Sequence, residues 1–551
     1  MPKKLARLVQ AMSRTLSSFG VLVAALFFAA SLSPSLLPRP FHLQGVLSGL
    51  ALVSGYGCGV LLVLAWDYLG LPHPTGRLKR IVLVSIGGVC LGLASIALVY
   101  CNGWQNDLRL SMGMEANDSG QMAAIAAIAL AVALLALVAV RLLIHASRWV
   151  SRKLKTRVPE RAANLLGVLL VAAAVVLLVN DVFVKKFIDV MDEVYALSDA
   201  VTEPEVKQPS DPLATGSPAS LVDWDTLGRT GENFVALGPD KEDLARFSDE
   251  AVMQPIRVYV GFRSAETFEA RAQLALDELI RVDGFGRSKL IIATPTGTGW
   301  LDPSAVDTIE YIHRGDTAIV AMQYSYLPSW LTLLLDPQKA KASASALYRA
   351  IHRHWRTLPA DSRPDVYLYG LSLGSYGAET SIELTSLVGD PVQGGVFAGP
   401  PFVNSVAPRL AEVRNPGSPY WLPVIEDSSL VRFTAQESAL DIPGAEWGPM
   451  RFVYIQYASD PMVFFSTDLY WREPEWLQGQ RGHDVSPALT WYPVVTFLQL
   501  LFDLPMADRI PKGNAHNYAA RSYIDAWVEV TGPENWSQAD TLRLKAQFAG
   551  R

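Results

Sequence analysis

Sulfur is scarce in this chain. Of its 551 residues three are cysteines, Cys58, Cys90 and Cys101, all in an apolar first third. The polar remainder has none, which excludes a disulfide, a thiolate nucleophile and a cysteine-ligated zinc site there. A phosphate loop is also lacking. Gly228 and Gly231 in GRTGENF have neither Gly-Lys-Ser/Thr nor a preceding strand, and read as turn glycines. Basic clusters are missing from the same region. Residues 1–184 hold 16 Lys/Arg and 6 Asp/Glu, a net of +10, in a chain of net −6. The remainder therefore carries −16, which argues against a nucleic-acid partner, since phosphate binding needs clustered Lys/Arg. Opposite balances in the two parts imply two environments.

Charge is almost absent from five apolar runs, near 18–37, 45–66, 81–101, 122–141 and 163–184. Each is near the length that crosses a hydrocarbon core of about 30 Å. A transporter or channel needs ionisable groups inside its spans, so this part reads as an anchor that integrates the chain into a membrane. The first run continues into Pro38-Arg39-Pro40 and precedes four more, so it reads as a span and not as a cleaved signal peptide. Basic residues alternate between the connections. Lys3, Lys4, Arg7 and Arg14 precede the first run. Arg77, Lys79 and Arg80 lie in the second loop, and Arg148, Arg152, Lys153, Lys155, Arg157 and Arg161 in the fourth. The first and third loops offer Arg39 and Arg109. The positive-inside rule then puts the N-terminus in the cytoplasm and everything after residue 184 outside a cell (inner or plasma) membrane.

Three domains are expected: a helical transmembrane anchor over 1–186, a polar linker over 187–250 and a catalytic domain over 251–551. The linker is rich in Pro, Asp and Ser, as in VTEPEVKQPSDPLATGSPAS. Beyond it, strand-like runs at 254–261, 289–294, 317–324, 366–370, 394–398 and 451–457 alternate with helical patterns at 267–281, 305–314, 340–355 and 374–387. Strands spaced by helices imply a mostly parallel sheet flanked by helices. Residues 491–504 read as a buried helix.

The central motif is Gly370-Leu371-Ser372-Leu373-Gly374, between the strand VYLYG and the helix SYGAETSIELTSL. Glycines let a strand turn sharply into a helix and hold the serine hydroxyl proud of the sheet. The Leu373 N–H, at the helix N-terminus, would face an oxyanion. A second donor is expected from the loop Thr294–Trp300, with Thr296 and Gly297 as candidates. A serine needs a base and the base an orienting acid, in the chain order Ser, acid, His. Only His483 and His516 follow Ser372, and His516, in a Gly/Pro loop opening a helix, is preferred. Asp460, after the strand RFVYIQY, is the preferred acid, with Asp468, Asp484 and Asp503 as rivals. No metal or organic cofactor is needed for such chemistry.

Several blocks resemble a bacterial family of membrane α/β-hydrolases with a multi-span N-terminal domain. They are RVYVGFRSAET, TPTGTGW, QYSYLPSWL, YGLSLGSYGAE, YASDPMVFFS, DVSPALTWYPVVTFLQL and the terminal HNY. The resemblance implies an α/β-hydrolase domain after the α-helical anchor, and supports Ser372, Asp460 and His516 as triad positions. The family often has Glu before the serine and Gly-His-Gly before the final histidine; here Leu371 and Asn514-Ala515 stand there, which bears on pocket polarity. Relatives include hydrolases of aminoacylated phosphatidylglycerol, which implies a lipid ester substrate at the outer face of the membrane. A domain of −16 would favour a cationic headgroup, or simply solubilise the surface. Trp300, Trp330, Trp421, Trp447, Trp471 and Trp476 are candidates to line an apolar groove or sit at a bilayer, with core packing the default. Two rival readings stay open: an acyltransferase passing the same acyl group to a lipid or sugar hydroxyl, and a non-catalytic lipid sensor.

Overall fold

A computed structural model of the chain describes residues 16–117, 121–382, 389–404 and 406–549. Lys3, Lys4, Arg7, Arg14 and residues 383–387 of the expected helix lie outside them. The chain divides into two compact units. One is Met1–Phe187 with Phe465–Gln478 and His483–Met506; the other is Ile188–Phe464, Gly479–Gly482 and Ala507–Arg551.

Four helices that begin in the first unit are long and apolar enough to cross a membrane: Phe41–Tyr68, Gly76–Ser111, Met122–Leu154 and Glu160–Asp199. The last includes a π-helical stretch, Leu178–Val184, and runs on well past the apolar run. The first apolar run departs from the expected span. It is helical only over Ser18–Ser31, about 21 Å at 1.5 Å per residue. Pro34, Pro38 and Pro40 account for the break, since each lacks an N–H and disfavours helix in the residue before it.

The broken stretch is nonetheless buried, with Leu32, Leu36 and Leu37 at 0% exposure. Buried non-helical backbone must find partners, and here side chains supply them. Gln44 Nε2 donates to Ser31 O at 2.9 Å, and Gln499 Nε2 to Ser33 O at 3.0 Å. The Arg39 N–H donates to Gln105 Oε1 at 2.8 Å, and the Leu37 N–H to Asp503 Oδ2 at 3.4 Å. Arg39 Nη1 meets Asp503 Oδ1 at 3.4 Å, both side chains fully buried. Gln499 and Asp503 lie one helical turn apart on the helix Val495–Asp503. The helix expected at 491–504 therefore exists, but it packs within the first unit.

The second unit is built on a seven-stranded sheet: β1 (Ile256–Val260), β2 (Lys289–Thr294), β3 (Thr317–Met322), β4 (Asp365–Leu371), β5 (Gly394–Ala398), β6 (Val431–Thr434) and β7 (Arg451–Ile455). The order is β1-β3-β2-β4-β5-β7-β6, and every pair is parallel. Runs such as LIIA and AIVA are apolar on both sides because helices cover both faces of such a sheet. Helix Phe268–Arg281, capped by Thr267, packs on Gln338–Trp355, which packs on Leu373–Ser381; Pro303–Ile312 packs on Ala520–Thr531. Val258, Ile291, Val320, Leu368, Val396 and Val453 are buried in one continuous core, each contributing about 1.5–3 kcal/mol.

Three expectations need adjustment. β6, absent from the strand pattern above, is a four-residue edge strand whose buried Arg432 breaks the apolar run. That guanidinium donates to the carbonyls of Ser428, Leu440 and Ala445. The stretch 187–250 is not wholly irregular, since it contains the end of the long helix and helices Gly228–Ala236 and Lys241–Phe247. Gly231 is no turn glycine; it sits inside a helix, where a Cβ would meet the Tyr259 ring at 2.5 Å.

Candidate active site

β4 delivers the chain to Ser372, and helix Leu373–Ser381 begins at the next residue. Ser372 sits at φ 60°, ψ −127°. A non-glycine residue held there stores about 1–3 kcal/mol of strain. The flanking glycines make the turn possible. A Cβ on Gly370 would strike the Gly374 carbonyl, and one on Gly374 would strike the Thr294 carbonyl at the end of β2. The Ser372 N–H donates to Ala398 O, the last residue of β5, at 2.9 Å. This ties the turn to the carboxyl ends of the strands, where parallel sheets place their ligands.

Asp460 follows β7, is fully buried, and is held from two sides. Its Oδ1 accepts the Met462 N–H at 2.8 Å, and its Oδ2 meets His516 Nδ1 at 2.6 Å. A carboxylate can only accept, so Nδ1 donates and the imidazole lone pair falls on Nε2. The loop carrying His516 is fixed by its backbone. The Ala515 N–H donates to Ser459 Oγ at 3.0 Å, the His516 N–H to Ala507 O at 3.2 Å, and the Gly513 N–H to Asn517 O at 2.7 Å. Lys512 Nζ donates to Ser304 Oγ at 2.7 Å, which anchors the loop to helix Pro303–Ile312. The histidine ring lies against Gly399, the residue after β5. The Ser372 N–H and the His516 ring thus engage adjacent residues, Ala398 and Gly399. Ser372 Oγ and His516 Nε2 are both buried and both without a hydrogen-bond partner among the described residues.

Of the rivals, Asp503 pairs with Arg39, Asp468 and His483 are exposed, and Asp484 is buried, whereas His516 Nδ1 takes Asp460. His313 meets Thr531 Oγ1, His352 meets Asp390 O, and His354 packs on Phe285.

Leu373 stands at the first helical position, with no backbone acceptor for its N–H among the described residues. The other two donor candidates are engaged. The Thr296 N–H donates to Trp300 O at 2.9 Å and the Gly297 N–H to Ser329 Oγ at 2.9 Å. The loop forms a turn closed on itself, which GTG spacing alone could not reveal. Of the tryptophans, Trp476 is buried, Trp447 stacks under Arg432, Trp421 donates to Gln480 O, and Trp471 is 66% exposed.

One residue at the site was not singled out from the sequence. Tyr518, two positions after His516, donates its hydroxyl to Asp460 Oδ2 at 2.6 Å. Its signal in the sequence is the Tyr of the terminal HNY.

A serine on a sharp strand-to-helix turn of a parallel sheet, with a carboxylate–histidine pair from later loops, is an α/β-hydrolase arrangement. The chain belongs to an alpha/beta-hydrolase family. That family's model matches residues 256–544, and the model of the alpha/beta-hydrolase family N-terminus matches residues 32–239. No curated protein matches the chain. No solved structure matches it.

Proposed function

We propose that this protein is a membrane-anchored serine hydrolase that cleaves a carboxylic ester of a membrane lipid outside the cytoplasm. One observation carries the reading. Ser372 stands on the strained elbow, and His516, paired to buried Asp460, keeps a buried Nε2 that, like Ser372 Oγ, has no hydrogen-bond partner among the described residues. In the reaction His516 Nε2 takes the Ser372 proton as Oγ attacks the ester carbonyl. The Leu373 N–H stabilises the oxyanion, and the imidazolium, held by Asp460, returns the proton to the leaving alcohol. Water activated by the same histidine then releases the acyl group. The lipid substrate is supported by the four apolar helices in the same chain, and the outside placement by the basic loops at 77–80 and 148–161. The net −16 beyond residue 184 supports a headgroup that carries positive charge.

The test is hydrolysis of lipid esters in vesicles, aminoacyl-phosphatidylglycerol beside neutral diacylglycerides, by the full chain and by Ser372→Ala. Release of free acid or amino acid by the wild type alone supports the reading. Transfer to an added alcohol without free acid replaces it with the acyltransferase reading, and no turnover of any ester contradicts it.

A further inference from the structure

Asp460 has no exposed surface, so its oxygens must find all their partners within the protein. Oδ1 accepts the Met462 N–H. Oδ2 takes two charge-assisted bonds of equal length, from His516 Nδ1 and from the Tyr518 hydroxyl, each 2.6 Å. The tyrosine ring has little freedom. It packs on Tyr457 with centroids 4.5 Å apart and meets His516 edge-on at 5.8 Å. Gly399, at φ 53°, makes room for both rings, because a Cβ there would meet His516 Cε1 at 2.5 Å and Tyr518 Cε2 at 2.9 Å. Burial and the Asp460 charge push the Tyr518 hydroxyl well above its ordinary range, so it remains a donor.

We infer that Tyr518 is a positioning residue for the reaction proposed above: its hydroxyl fixes the Asp460 carboxylate and moderates the pull of Oδ2 on His516. The inference rests on the serine-hydrolase reading. With the hydroxyl present, Asp460 cannot rotate away from the imidazole without breaking a second bond, and its charge is shared between two donors. Without it, the carboxylate is held by Met462 and His516 alone, and its undivided charge stabilises the imidazolium. Proton uptake by His516 then competes with catalysis at higher pH. The titratable and charged groups around the pair, among the described residues, are Tyr518, Tyr457 and Tyr523, with Arg521 beside Tyr457 and with Asp302 and Lys512 at the other end of the loop. Lys512 Nζ is 4.0 Å from Asp302, so it neutralises that carboxylate rather than Asp460.

The experiment measures the rate of fluorophosphonate labelling against pH, in the detergent-solubilised full chain, for wild type, Tyr518→Phe and Ser372→Ala. Phe keeps the ring and removes only the donor. Expected are a melting temperature within a few degrees of wild type, labelling slower by roughly tenfold, and an acid limb displaced to higher pH. A mere packing role would leave rate and limb unchanged, and that result overturns the inference. Should Tyr518→Phe be poorly folded, 3-fluorotyrosine at 518 replaces it. This stronger donor must move the limb to lower pH, and an unmoved limb is equally decisive against the proposal. If wild type does not label, or Ser372→Ala labels as fast, the hydrolase reading fails first and Tyr518 falls with it.

Discussion

Arg39 gives the sharpest test of how the first unit holds together. Its side chain is fully buried with Asp503, and its Nε donates to Gln44 Oε1 at 3.1 Å. Its Nη1 also donates to Gln499 O at 3.4 Å. Arg39→Ala would leave Asp503 buried without its cation, either charged in an apolar surround or neutralised by taking up a proton. Removing one partner of a buried pair costs about 3–5 kcal/mol, whereas replacing both with apolar side chains of similar volume is near neutral. For a unit of this size each kcal/mol lowers the melting temperature by about 2–4 °C, so Arg39→Ala should lose on the order of 10 °C. Arg39→Met with Asp503→Asn, which removes both charges and keeps an acceptor for the Leu37 N–H, should recover part of that loss. The assay is thermal unfolding of the full chain in detergent, followed by helical circular dichroism. If the single variant melts with wild type, or the double variant melts lower than the single, the pair is not what secures the broken segment.

Three further outcomes follow from the second unit. Asp460→Asn should lower the rate of ester hydrolysis by about 10³–10⁴-fold, because an amide nitrogen facing His516 Nδ1 selects the tautomer with its proton on Nε2; a loss under tenfold in steady-state kinetics would speak against the pairing. Gly374→Ala should cost at least about 2 kcal/mol in a thermal shift assay, since its Cβ strikes backbone that cannot retreat. Burial raises the Glu379 carboxyl from 4.5 to about 7, while Tyr454 and Asn404 both donate to Oε2. The folded state then holds this proton more tightly than the unfolded chain, so the group costs nothing below about pH 4.5 and progressively destabilises the fold as pH rises through 7. Glu379→Gln should therefore melt higher than wild type at pH 8 and equal to it at pH 4.5, with equal melting at both pH values as the contrary result.

What could be read from the residues follows a physical divide. Local signals carried well. Six strands announce themselves as short β-branched runs, and Gly370 and Gly374 mark an elbow because only glycine fits against neighbouring carbonyls there. Contacts between distant residues did not carry. Nothing near Gln499 or Asp503 says that they complete the backbone of residues 31–37, more than 460 positions earlier. The same limit hid Tyr518, whose role depends on Asp460, 58 residues away. It also hid the engagement of the Thr296 and Gly297 amides, which depends on Trp300 and Ser329. Arg432 illustrates a different obstacle. A charged residue in a strand of four masks the pattern, and only the three carbonyls it reaches explain its burial.

The central claim is that Ser372 is the nucleophile and His516 its base. The direct measurement is labelling of the detergent-solubilised full chain with a fluorophosphonate, followed by peptide mass mapping, for wild type, Ser372→Ala and His516→Ala. One adduct is expected, on the peptide containing Ser372, and no labelling of either variant. A folded wild type that stays unlabelled, or an adduct that persists in Ser372→Ala, would contradict it.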